Sequence, residues 1–531
     1  MNRFFIFIGC VFITLSLFSQ SDIKVASNEP SIFKKHQQNT KFLNTKRIQI
    51  DSISKLYNPF FFNKISNSDK LTFIRLTKTL QQSFQEFTDF NSKRLVEIDK
   101  TLTGKKPIKG SDIAYLHHSF QVYKKYIYTY IGIEKNLKYI LKETHDSELS
   151  QLYVSAKLSP MSFFYKNYYS VIKNTRIRRI INASDTIYKT KDNDFKKLIL
   201  KELKKRNYKD IQKELVDISS SQHQLLDSAL VKELTNNKYR SSRIRTDKKK
   251  INNYFQKDNT YKFLQFITHN ISGFIGNVAG SIRFRKGYLY KNDSIRNLIT
   301  SKLQPMDIIA EKTGFALTDK MIPGHFGHIA IWLGTEQQLK DIGIWNTIPE
   351  QIQQKIRKGY SVLESARNGT HLLKLDKFIN VDELAIARIK TFNTLSLNEK
   401  DLLYKHALAQ LGKKYDFNFD VETSDKLVCS ELLYQVFGSI YWPTDRFLKR
   451  ATISPDNVLS LALFQNTPID LMYYVEGKSK RVFCEKTLER LAKELGYIKQ
   501  DGVYFLPDVI CEEINNTEKC KRVYHELIYQ E

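Results

Sequence analysis

The stretch SDKLVCSELLYQVFG, residues 424–438, reads as the start of a helix. Val428, Leu432, Leu433, Val436 and Phe437 recur at helical spacing, and Gly438 fits the stop. Glu431 stands where an acid complements a helix N-terminus. Cys429 therefore falls in the first turn. A thiol there feels the positive end of the helix dipole and the nearby N–H groups, both of which favour thiolate. The same N–H groups can receive an oxyanion. A lone cysteine is more often a buried small hydrophobe, so a base has to be found elsewhere in the chain.

The base candidates lie in PGHFGHIAIWLG, residues 323–334. In a strand starting at His328, Ile329, Ile331 and Leu333 share one face, and His328, Ala330 and Trp332 share the other. The small Ala330 leaves room beside the imidazole. His325 sits in the Pro-Gly turn, which suits a loop role. Zinc held by His325 and His328 is disfavoured, because their spacing follows a turn and there is no His-Glu-x-x-His. No metal or cofactor is expected. A thiolate at a helix start beside a strand-borne imidazole is the plan of papain-like catalysis, in which the imidazole takes the thiol proton and later gives it to the leaving group.

LGKKYDFNFDVETSDKLVCSELLYQVF, residues 411–437, resembles the nucleophile segment of NlpC-type papain-like hydrolases. Most of those carry Cys before His. Here His328 precedes Cys429 by 101 residues, an order similar to the circularly permuted YiiX/YebB-like group. QPMDII, GHIAI, SVLESA, GKKYDF and VCSEL follow in that group's order between about residues 300 and 460. The resemblance implies Cys429 as nucleophile, His328 as base, Glu364 as the group that orients the imidazole, and Tyr415 as a substrate-binding residue. Met306 stands where the family usually has Gly, Ala330 replaces a frequent Gly, and the long N-terminal region has no counterpart in minimal members.

The rest of the chain frames this domain. Its 531 residues make two or three domains the prior, and 41% hydrophobic with 26% charged residues is a globular composition. Residues 1–20 follow the order of a secretory signal peptide, with a lipoprotein acceptor at Cys10 as the weaker alternative. Residues 21–235 read as an all-helical region; Phe73, Leu76, Leu80, Phe84 and Phe87 set its period, with Asp69 as a cap. Residues 236–299 read as a basic linker followed by an amphipathic segment. From 300 to 465 the period shifts towards two, giving short strands around two helices, and residues 466–531 read as a tail packed on that domain. The fold class expected is α+β: a circularly permuted papain-like (NlpC-type) domain preceded by an all-helical N-terminal region. Cys484, Cys511 and Cys520 leave room for one disulfide in the tail.

The function expected is an exported, periplasmic or extracellular cysteine hydrolase, an amidase or peptidase, acting on wall-derived peptides or N-acyl substrates. One alternative is a lipid acyltransferase or thioesterase, although VCSELL lacks that branch's Asn-Cys pairing. The other is a non-catalytic basic envelope-binding protein. The formal charge of +28 suits an anionic envelope surface, and no specific nucleic-acid motif is present.

Overall fold

The computed structural model describes residues 32–57, 67–103, 108–144, 146–203, 243–259, 285–313, 324–416, 426–447, 450–514 and 517–529. The expected signal peptide, Cys10 and the apolar stretch around 260–284 lie outside them. The chain divides into two compact units, one formed mainly by residues 34–265 and the other mainly by 266–531. No described helix is long and apolar enough to cross a membrane.

The first unit is helical. Long helices run over Ile32–Tyr57, Asn67–Thr103, Gly110–Thr144 and Ser147–Val171, with shorter ones at Thr175–Asn182 and Asp194–Glu202. Aromatic residues at helical spacing fill its core: the Phe163 ring lies 4.5, 5.3 and 4.6 Å from those of Phe84, Phe87 and Tyr123. The second helix begins at Asn67, so Asp69 lies inside it instead of capping it.

The linker expected from residue 236 is corrected in part, because residues 243–259 form another helix. Ile244, Ile251 and Phe255 are buried along it, and so are Asp247 and Asp258. Asp247 accepts hydrogen bonds from the Tyr165 and Tyr169 hydroxyls at 2.9 and 2.7 Å, and Asp258 accepts from Arg178 at 2.8 Å. The buried stripe thus alternates apolar residues with satisfied acids, which a hydrophobic periodicity does not reveal.

The second unit is built on an antiparallel seven-stranded sheet. Its strands are β1 (Asp307–Lys312), β2 (His328–Trp332), β3 (Tyr360–Ala366), β4 (Gly369–Lys374), β5 (Glu383–Ile389), β10 (Ile469–Gly477) and β11 (Phe483–Glu485), in the order β11-β10-β5-β1-β2-β3-β4. Ile309, Ala330, Trp332, Val362, Leu384 and Ile386 form one core with Ile295, Ile299 and Leu303 of the helix Asp293–Lys302. On the opposite face Ile308, Ile329, Ile331 and Leu363 are buried too, so the central strands are apolar on both sides.

β1 enters through Met306, whose φ is +65°. That left-handed conformation costs an L-residue about 1–2 kcal/mol and explains why glycine suits the position. Asp307 follows, fully buried, and its carboxylate receives Arg388 of β5 through Nε and an NH2 group, both at 2.7 Å.

Two pairs of short strands, β6 (Lys414–Tyr415) with β7 (Lys426–Leu427) and β8 (Asp445–Phe447) with β9 (Arg450–Thr452), flank the helix Cys429–Val436. The domain does not end at 465. β10 lies between β5 and β11 in the central sheet, and only the segment beyond them forms a separate sheet. That sheet contains β12 (Ile498–Gln500), β13 (Val503–Ile514) and β14 (Thr517–Glu526). It packs through a small core of Leu463, Ala492, Tyr504 and Leu527.

The β13–β14 register sets Cys511 opposite Cys520. Directly opposed antiparallel residues have Cα atoms roughly 4.5–5.5 Å apart, within the range a disulfide spans. Of the three tail cysteines, these are the two that the register sets opposite each other. Non-reducing peptide mapping of oxidised protein is expected to find a Cys511–Cys520 link with Cys484 free. A link through Cys484 would contradict the register.

Candidate active site

The helix Cys429–Val436 begins at the cysteine itself, after Val428 in an extended conformation. Glu431 accepts the Val428 N–H at 2.9 Å, which closes the helix start. Two further bonds fix the approach: Ser365 Oγ of β3 donates to Leu427 O at 2.8 Å, and Ser430 Oγ donates to Ile453 O at 2.5 Å. The helix lies against β2 and β3, the strands that carry His328 and Glu364.

His328 is the first residue of β2, and its side chain is 20% exposed. Its Nε2 is 2.8 Å from Glu364 Oε2, and the ring also lies close enough to Cys429 to interact with the thiol. Because Nε2 serves the carboxylate, Nδ1 is the nitrogen left for the thiol. Burial alone would lower the His328 pKa. The interactions with Cys429 and Glu364 outweigh it and hold the ring well above its ordinary value. Burial would likewise raise Glu364, but hydrogen bonds from His328 and His371 hold its carboxyl down to about 2. Glu364 is therefore held in its ionised form. Cys429 itself is buried, at 8% exposed.

Tyr415 of β6 is half-buried and close enough to Cys429 for the two charges to interact. Burial, then Cys429 and Glu431, push its hydroxyl up, so it stays a neutral donor.

The structure thus gathers the four candidate residues in one place. It adds a fifth group that the sequence reading missed. His371 of β4 lies directly across from Glu364 and puts Nε2 3.1 Å from Glu364 Oε1. Nothing in GTHLLK singled it out, because its place depends on the β3–β4 register.

His325 goes elsewhere. Its backbone N–H and that of Phe326 donate to the Asp456 carboxylate at 2.7 and 2.8 Å. Gly324, at φ +128°, is required because a Cβ there would meet an Asp456 oxygen at 2.8 Å. The His325 ring contacts Glu383 and the Tyr474 hydroxyl, each at 2.9 Å. It therefore anchors the turn that delivers His328. His325, Glu383 and Glu494 also form a group close enough to hold a cation. However, the Lys486 ammonium already spans both carboxylates at 2.9 and 2.7 Å, and Lys312 Nζ donates to His325 Nδ1 at 3.0 Å. Fixed positive charge occupies the place a metal would take. His325 and His328 serve different carboxylates and do not converge on one point.

Residues 302–492 match the model of a protein family described as permuted papain-like amidase enzyme, YaeF/YiiX, C92 family. That stretch is a permuted papain-like domain, and the family it matches is one of amidases. The match spans β1 to β11 and stops short of the three-stranded sheet. The helical unit lies outside it. Comparison with curated proteins and with solved structures found no match.

Proposed function

We propose that the protein is an exported cysteine hydrolase that cleaves amide bonds through Cys429, His328 and Glu364. The observation that carries this reading is that the His328 ring, 2.8 Å from Glu364, also lies close enough to Cys429, the first residue of a helix, for the thiol and imidazole to interact. The Cys429 thiolate attacks the amide carbonyl carbon, and the carbonyl oxygen becomes an oxyanion near the N–H groups of the helix start. As the C–N bond breaks, the His328 imidazolium gives its proton to the leaving amine. A thioester remains. His328 then takes a proton from water, the hydroxide attacks the thioester, and the carboxylic acid leaves as the thiol is restored. Glu364 keeps the ring's tautomer and orientation throughout, and the neutral Tyr415 hydroxyl donates to substrate.

The substrate class we infer is a wall-derived peptide or an N-acyl amide. The signal-peptide pattern supports a reading of the protein as periplasmic or extracellular, and its basic charge supports anionic envelope surfaces as partners. The test is a screen of wall peptides against acyl lipids with purified protein and a Cys429→Ala control. Release of an amine from peptides, absent in the control, is the expected result. Transfer of an acyl chain from lipid to another acceptor would replace hydrolysis with acyl transfer. No turnover and no acyl adduct on Cys429 would leave a non-catalytic binding protein.

A further inference from the structure

We propose that His371 is a positioning residue of this site: a second imidazolium that holds the far oxygen of Glu364 while His328 holds the near one. The proposal rests on the reading of Cys429, His328 and Glu364 above.

The contacts favour the cationic form of His371. Its Nδ1 is 2.9 Å from Gly369 O, and its Nε2 is 3.1 Å from Glu364 Oε1. A carbonyl and an ionised carboxylate can only accept. Nδ1 therefore donates to Gly369, and a proton on Nε2 makes the ring a cation paired with Glu364. The bond to Glu364 favours that cation first, burial opposes it, and the Gly369 carbonyl and the Glu364 charge add support; the positive charge of His328 works against it. Among the described residues, the charged groups that act on His371 are Glu364 of β3 and His328 of β2.

The carbonyl that orients the ring is itself held. Gly369 has φ +96°, and a Cβ there would lie 2.6 Å from Lys413 O. Thr370 N–H donates to Lys413 O at 2.8 Å, and Gly412 N–H donates to Thr370 O at 2.8 Å. The β3–β4 turn is thereby pinned to the chain that runs into Tyr415, and Lys413 meets it through its carbonyl. At 32% exposed, the His371 side chain is the most open of the four groups in the Cys429–His328–Glu364–His371 chain.

The arrangement gives Glu364 two cationic donors, one per oxygen. Without His371 the site loses one positive charge. The surroundings of Cys429 become more negative, which disfavours the thiolate, while Glu364 still supports the His328 imidazolium. His371 thus acts on Cys429 through Glu364 and His328, by charge and by orientation.

The experiment measures the rate of Cys429 carboxamidomethylation by iodoacetamide in the full chain from pH 4 to 10, read by peptide mass spectrometry. His371→Gln keeps a neutral donor, and His371→Phe removes it; both remove the charge. The expected result is that the acid limb of the profile moves to higher pH by about one unit in both variants, with the alkaline plateau unchanged. At the pH of the wild-type midpoint, alkylation falls several-fold. A superimposable profile overturns the proposal. So does a lowered plateau with an unmoved limb, which would mark structural damage alone. If His371→Phe fails to fold, His371→Gln decides. His328→Ala in the same assay separates the two readings: an unchanged His328→Ala profile defeats the Cys–His pair, whereas a changed one with silent His371 variants defeats only this proposal.

Discussion

Cys429→Ala and His328→Ala are each expected to lower amide turnover by at least about 10⁴-fold, more than 5 kcal/mol of transition-state stabilisation. In the proposed reaction Cys429 supplies the bond to carbon; the other cysteine free among the described residues, Cys484, lies on β11 at the far edge of the sheet. His328 interacts with the thiol and is bonded to Glu364. Removing either breaks one unit, so the double variant loses little more than each single one. Glu364→Gln behaves differently. The amide oxygen can still accept the His328 Nε2–H, but the charge that stabilises the imidazolium is gone. A loss of roughly 10- to 1000-fold is expected, within the span of general acid–base effects. Steady-state kinetics on the substrate found by screening checks the series, with circular dichroism to confirm folding. Full activity in Glu364→Ala would remove that residue from the site.

The second large effect is on stability. Asp307→Ala is expected to destabilise the C-terminal unit by about 3–5 kcal/mol, the usual result of breaking a buried ion pair from one side. Asp307 is fully buried, and Arg388 is 14% exposed. The carboxylate also accepts the Gln304 N–H at 2.7 Å, and Arg388 donates to Lys302 O at 2.8 Å. The pair ties the start of β1 to β5 and to the end of the preceding helix. Urea unfolding followed by tryptophan fluorescence isolates this unit, because all three tryptophans, Trp332, Trp345 and Trp442, lie in it. Trp332 sits across from Asp307 and reports the break directly. The double variant with Arg388→Ala should lose less than the sum of the single losses, since no buried charge is then left unpaired. A single-variant loss below about 1 kcal/mol would mean that the pair is solvated.

The residues that could be read from sequence are those whose signal is local. β1, β2, β3 and β5 showed in alternation or in short apolar runs, and Cys429 showed through the periodic apolar residues that follow it. What escaped depends on pairing at a distance. β10 is hard to read because its alternation breaks at an irregularity between Leu471 and Tyr473, beyond which Tyr473, Tyr474 and Val475 are buried in succession. The helix at 243–259 hides because Asp247 and Asp258 occupy buried positions. Their partners, Tyr165, Tyr169 and Arg178, lie about 80 residues earlier in the chain. His371 carries no motif and gains its place only when β4 pairs with β3. The two histidines of the 323–334 stretch were distinguishable by position, turn against strand. Glu364 as the partner of His328 is what the resemblance implies; the contact of His325 with Glu383 is not legible, because it depends on how β5 sits beside the turn.

The most direct test of the central claim is the pH dependence of Cys429 alkylation in the wild-type chain and in His328→Ala, with Cys484 as an internal comparison. If the thiol proton resides on a His328 ring held well above its ordinary pKa, wild-type Cys429 reacts nearly as fast at pH 6 as at pH 8, and His328→Ala loses that low-pH reactivity. Two coincident profiles, both titrating near the free-thiol value of about 8.5, would contradict the account.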